Sequence, residues 1–306
     1  MSMPALSSTT LALIDQSPFL QIASSRDRYP SAPGEGLPLL VVKTQAFEAV
    51  VAFQGAQLLS FVPNSGEDLL WLSPNCVFSE GVALRGGVPV CFPWFGPHET
   101  EAKAVKHGFA RNNLWQLSSV SASTDNEMEL LFSFSSTHHP HFPHAFSATL
   151  RMVLAASAKL ELTVTNNGED TFSTSWALHS YHPVSNLDAV EIPALAGKPY
   201  LDNLEKHARK QQNGPLQFHG EVDRVFPAVT ESLVIENSQP RIRIDHHNAP
   251  SVVTWNPGAT NAANISDIGA GQEQHYICVE RGAVLAEKWN VAAGASISGG
   301  LEISKA

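Results

Sequence analysis

Strict alternation of apolar and polar residues is the feature that most restricts how this chain can fold. Over residues 159–165, Leu160, Leu162 and Val164 fall on one face while Lys159, Glu161, Thr163 and Thr165 fall on the other. The same period of two runs through residues 127–134 and 145–155. Side chains two apart share a face only in extended backbone, so each stretch is a strand with one buried and one wet side. One-sided burial of that kind belongs to antiparallel sheets.

Shorter β-branched and apolar runs at residues 39–43, 49–53, 58–63 and 69–72 continue the pattern, as do 171–178, 232–235, 241–245, 251–255, 276–279 and 295–303. Twenty glycines and 20 prolines punctuate them. Helical periodicity is scarce: residues 200–210 and 259–266 are expected to hold short helices, neither amphipathic over several turns. Many short strands with Gly- and Pro-rich turns predict an all-β sandwich or barrel. Residues 1–37, rich in Ser and Pro and ending in a turn-rich stretch from Tyr29 to Gly36, read as an arm ahead of a single domain over 38–306. No fixed-period repeat is visible.

Composition narrows the function. With 43% hydrophobic and 16% charged residues the chain is neither disordered nor collagenous. Nineteen Lys+Arg against 29 Asp+Glu give a formal charge of -10, which argues against nucleic acid or an anionic membrane as partner. Uncharged apolar runs such as 49–53 and 152–156 fall far short of the about 20 residues that span a bilayer. The first residues lack a basic segment and a small-residue cleavage site, so a soluble cytoplasmic protein is expected, acting as a monomer. Cys76, Cys91 and Cys278, without CxxC spacing, read as buried thiols of a reducing compartment.

The sequence has no GxSxG elbow, P-loop or dinucleotide fingerprint. Four histidines lie between Thr137 and His144, but Pro140 and Pro143 and the absence of nearby carboxylates leave that loop without the fixed geometry of a metal site. Three other stretches place polar residues among apolar ones. Arg85 and Arg111, with Lys106 between them, can build an anion pocket, because guanidinium forks match phosphate oxygens; the alternative is that each arginine ties down a carbonyl or an acidic neighbour. His179 follows a strand and is suited to proton transfer near neutral pH, or else is a satisfied structural group. Glu280 ends a strand and offers a base if it faces the same cleft.

Taken in order, Arg85-Gly86-Gly87-Val88-Pro89, Phe92-Pro93-Trp94-Phe95-Gly96, His107-Gly108-Phe109-Ala110-Arg111, Leu178-His179-Ser180-Tyr181, Tyr200-Leu201-Asp202, Val222-Asp223-Arg224-Val225, Val253-Thr254-Trp255-Asn256-Pro257 and Cys278-Val279-Glu280 are similar to the motifs of one family. The set resembles the glucose-6-phosphate 1-epimerase group of the aldose 1-epimerase (galactose mutarotase-like) family, over about residues 38 to 303. The resemblance implies a large twisted antiparallel β-sandwich with a sugar cleft on a concave face, and an enzyme needing neither metal nor organic cofactor. It further implies His179 as general acid, Glu280 as general base, Asp223 as a ligand for sugar hydroxyls, and Arg85 and Arg111 as ligands of the substrate, chiefly its phosphate. Lys106 stands where relatives often carry Gln, and a cation there suits a phosphate. His182 replaces an aromatic residue and is expected to bring a second titrating group near His179.

The reaction so implied interconverts the anomers of a hexose 6-phosphate. Ring opening removes the proton on O1 while delivering one to the ring oxygen, which Glu280 and His179 on opposite sides of the hemiacetal would do, the first ionised and the second protonated at rest. Competing readings are a mutarotase for unphosphorylated aldoses, a non-catalytic carbohydrate-binding sandwich, and a metal enzyme built on the histidine loop.

Overall fold

The computed structural model describes residues 4–64, 66–124 and 126–306, and their architecture is all-β. One seven-stranded antiparallel sheet runs, in spatial order, Leu233–Ile235, Ile242–His247, Ser296–Lys305, Ala158–Asn166, Phe146–Leu154, Glu127–Ser136 and Gln116–Thr124. It contains the three alternating stretches. Leu160, Leu162 and Val164 are fully buried, and the polar residues between them face outward.

A second, eight-stranded sheet carries the candidate site. Its order is Ala208–Gln211, Pro199–Asp202, Val222–Phe226, Ser251–Asn256, Tyr276–Ala283, Trp176–Leu178 and Val90–Cys91, with Tyr181–Pro183 paired to the first half of Tyr276–Ala283. Alternation sorts its side chains. Leu178, Val252, Ile277 and Val279 point into the large core shared with the seven-stranded sheet. Ala177, Val225, Val253, Trp255 and Cys278 point the other way, into two smaller clusters. Asp223 and Glu280 share that outer face by the same period. At about 25 cal/mol per Å² of apolar surface, the shared core is the dominant stabilising term.

Several expectations change in detail. The segment read as an arm is built into the fold: Leu20–Ser24 pairs antiparallel with Pro38–Lys43 as the edge of a four-stranded sheet. The preceding helix Ser8–Asp15 is capped by Ser7, whose Oγ accepts from the Thr10 amide at 3.2 Å, and buries Ile14 in the main core. Residues 200–210 form no α-helix, only the 3-10 turn Asn203–Glu205. They are a hairpin of Pro199–Asp202 and Ala208–Gln211, because Lys206 and His207 adopt left-handed φ values of 52° and 62° that turn the chain back. The run at 171–178 divides at Ser175, Phe172–Thr174 pairing with Trp289–Val291 and Trp176–Leu178 joining the site sheet. Gly258–Asn264 is helical, as expected. No helix among the described residues is long and apolar enough to cross a membrane.

The loop carrying Gly86 to Pro89 packs against the chain at His179 and Tyr181. Gly86 and Gly87 take φ of 120° and 61°, and a Cβ on Gly87 would lie 2.2 Å from the Leu58 carbonyl oxygen. Only glycine lets this turn press on the strand beneath it. The loop is tied to the site by backbone bonds from the His179 amide to the Pro89 carbonyl and from the Tyr181 amide to the Gly87 carbonyl.

Candidate active site

His179 stands where the strand Trp176–Leu178 ends and the chain steps across to Tyr181–Pro183. Glu280 lies in the middle of the adjoining strand Tyr276–Ala283, whose eight residues are all buried. The antiparallel register brings the two together: His179 Nε2 is 3.3 Å from Glu280 Oε1, with side chains 8% and 1% exposed. Neither Glu280 oxygen has a hydrogen bond, nor does His179 Nδ1. A carboxyl group without partners in a fully buried position is costly, and such arrangements gather at functional sites.

The electrostatics correct the expected resting state. Burial, reinforced by Asp223, holds Glu280 well above the usual carboxylate range, against a weaker pull from Arg111. Burial, then Arg111 and Arg85, pushes His179 down to about 3. Both shifts favour a carboxylic acid against a neutral imidazole over an ion pair. The two forms differ only in which residue holds one shared proton. The two side chains touch each other directly, at 3.3 Å.

Aromatic rings fix the imidazole. Tyr181 stacks on His179 with centroids 4.9 Å apart and a 16° interplanar angle, and His107 and Trp255 meet it edge-on at 5.5 and 6.2 Å. His107 is itself held well below its ordinary value by burial, then by Arg111 and His179. It contributes a neutral ring wall.

The other expected site residues have unequal standing. Arg111 lies close enough to act on both His179 and Glu280; one Nη donates to the Lys106 carbonyl at 2.8 Å while its Nε has no partner. Arg85 is already engaged. Its Nε and Nη2 donate to Asp267 at 3.1 and 3.2 Å, and Nη1 donates to the Tyr181 hydroxyl at 3.1 Å. Lys106 is exposed and meets Arg111 through its backbone. Asp223 accepts from Asn203 Nδ2 at 2.6 Å, and its carboxyl is raised chiefly by burial. His182 points to the opposite face, in register with Ile277, and its Nδ1 meets the Leu69 carbonyl oxygen at 3.1 Å. It is not the second titrating group expected beside His179.

In the histidine-rich loop, His139 stacks on Phe109 at 3.9 Å and His98 Nε2 meets the His141 carbonyl oxygen at 2.9 Å, which are packing roles. The three cysteines are free and buried. Four residues near the pair went unassigned in the sequence: Tyr181, His107, Cys278 and Asp267. The first three sit inside quoted motifs, and only their side-chain direction gives them roles. Asp267 lies in a loop with no signal of its own.

The family description aldose 1-epimerase matches residues 38–304. A Salmonella typhimurium protein with the provisional name glucose-6-phosphate 1-epimerase is 36% identical over 251 residues, 80% of this chain and 83% of its own. An Escherichia coli protein of the same provisional name is 34% identical over 249 residues, 80% and 82% of the two chains. The crystal structure of a provisionally named mutarotase, YeaD, from Salmonella typhimurium superposes with a TM-score of 0.79 at 31% identity, covering 88% of this chain and 91% of that one.

Proposed function

The chain belongs to the aldose 1-epimerase family, and from that premise we propose that it interconverts the α and β anomers of a hexose 6-phosphate, D-glucose 6-phosphate foremost, through His179 and Glu280. The observation that carries the assignment of these two residues is their 3.3 Å contact with both carboxyl oxygens otherwise unpaired.

Transfer of the shared proton from Glu280 to His179 makes the first a base and the second an acid. Glu280 then takes the proton of O1 as the C1–O1 bond becomes a carbonyl and the C1–ring-oxygen bond breaks, and His179 protonates the departing ring oxygen. Rotation about C1–C2 presents the other face of the aldehyde. On reclosure His179 takes its proton back as the ring oxygen adds to C1, and Glu280 returns the proton to the new O1. The proton then passes from His179 back to Glu280, so atoms and charges balance and the enzyme ends as it began. General acid or base action of this kind contributes about 10²–10⁴-fold.

Arg111, with a free Nε and no carboxylate partner, is the best-placed ligand for the phosphate, helped by Arg85 and the Lys106 ammonium. Asp223 is proposed to receive sugar hydroxyls. The names of the Salmonella typhimurium and Escherichia coli relatives agree with a phosphorylated substrate. One observation favours the second reading, an unphosphorylated aldose: Asp267 already balances the Arg85 charge. Comparing turnover of glucose 6-phosphate with that of glucose separates the two. A preference for the phosphate that vanishes in Arg111→Ala supports the first, and equal turnover supports the second.

A further inference from the structure

We propose that His179, Cys278 and Glu280 together form a binding site for a thiophilic divalent cation of the zinc or cadmium kind, which blocks ring opening when bound. One ligand atom from each residue lies within 4.8 Å of the other two, and all three residues are buried. Among the described residues this is the one place where three such donors converge.

The geometry fits a small cation. Zinc sits about 2.0–2.1 Å from nitrogen and oxygen ligands in a tetrahedron, which puts those two ligands about 3.3 Å apart. His179 Nε2 and Glu280 Oε1 are 3.3 Å apart. Cys278 and Glu280 stand two residues apart on one strand and so project to the same side. The Cys278 sulfur lies within 4.8 Å of the other two ligand atoms, and closing to the about 3.6 Å of a tetrahedral zinc site completes the set. Both Glu280 oxygens lack any other partner, so no hydrogen bond has to be given up.

The charges fit as well. A divalent cation between a carboxylate, a thiolate and a neutral imidazole makes an uncharged unit, which removes the objection to ionising Glu280 and Cys278 in a buried place. A soft sulfur donor selects zinc or cadmium over magnesium or calcium. The inhibition rests on the catalytic assignment above, whereas the binding does not.

The test uses the full chain. Co²⁺ is titrated anaerobically while the thiolate-to-cobalt absorption in the near ultraviolet is recorded, and Zn²⁺ retention is measured by equilibrium dialysis. The expected result is one ion per chain and a thiolate band lost in both Cys278→Ser and Cys278→Ala. Zinc affinity should fall in both by at least about 100-fold, the upper end of what disturbing a ligand's outer partners costs. Zinc should also stop anomer exchange by the wild type and spare both cysteine variants. Absence of the band, or its persistence in the two variants through Cys76 or Cys91, overturns the site. Zinc held through Cys278 with anomer exchange unimpaired upholds the site and overturns the catalytic assignment instead.

Discussion

Glu280 Oε1 lies 3.3 Å from His179 Nε2, and neither Glu280 oxygen nor His179 Nδ1 has a hydrogen bond among the described residues. The strand pairing of Trp176–Leu178 and Tyr181–Pro183 with Tyr276–Ala283 holds the two-residue step that carries His179 against Glu280, so two distant parts of the chain are brought together. A site positioned in this way is rigid before any substrate arrives.

Groups that act as a unit lose their effect as a unit. His179→Ala and Glu280→Gln should each slow anomer exchange by about 10²–10⁴-fold, and the double variant should be hardly slower than the worse single one. Multiplying losses, measured as kcat for the four proteins, would show that the residues act separately.

The buried carboxyl should weaken the fold at neutral pH. Its folded value is raised, so the stability it gives is complete below the unfolded carboxyl value and is lost as pH rises toward the folded one. Glu280→Gln removes that loss while keeping the shape. Its melting temperature should match the wild type near pH 4 and exceed it increasingly from pH 5 to 8. A constant difference across that range contradicts the buried, neutral acid.

Activity should follow a bell in pH. The pair works with one proton, so a second proton on His179 ends activity on the acid side and loss of the last proton ends it on the alkaline side. Because His179 is pushed down to about 3, the acid limb of kcat/KM should fall well below the ordinary imidazole value of about 6.5. An acid limb near 6.5 that disappears in His179→Ala would mean the imidazole is far less desolvated.

Arginine roles can be separated by charge balance. Arg111→Ala should raise KM for glucose 6-phosphate by about 10–100-fold, the value of a charge-assisted hydrogen bond, and leave KM for glucose nearly unchanged. Arg85→Ala should affect both sugars and lower the melting temperature, since it strands Asp267 and the Tyr181 hydroxyl. Equal discrimination by both arginines would place Arg85 on the phosphate despite its partners.

Much of this was legible in the sequence wherever period two operates. The strands over 127–134, 145–155 and 159–165 are present as Glu127–Ser136, Phe146–Leu154 and Ala158–Asn166. The motifs also name His179 and Glu280, which the sheet brings into contact. What was hidden depends on partners distant in the chain. The buried face of the helix Ser8–Asp15 makes sense only once Thr10 Oγ1 donates to the Leu117 carbonyl. Arg85 reads as a free anion ligand until Asp267 is seen beside it, and His182 as a second titrating group until the strand turns it away. The protonation of the pair was inverted because charge attraction is visible in residue types, whereas desolvation appears only with burial.

Exchange NMR of α- and β-D-glucose 6-phosphate, with wild type and Glu280→Gln at equal concentration, bears most directly on the pair as a proton relay. Anomer cross-peaks should build up rapidly with the wild type and at the uncatalysed rate with the variant. Equally rapid exchange with both proteins would contradict it.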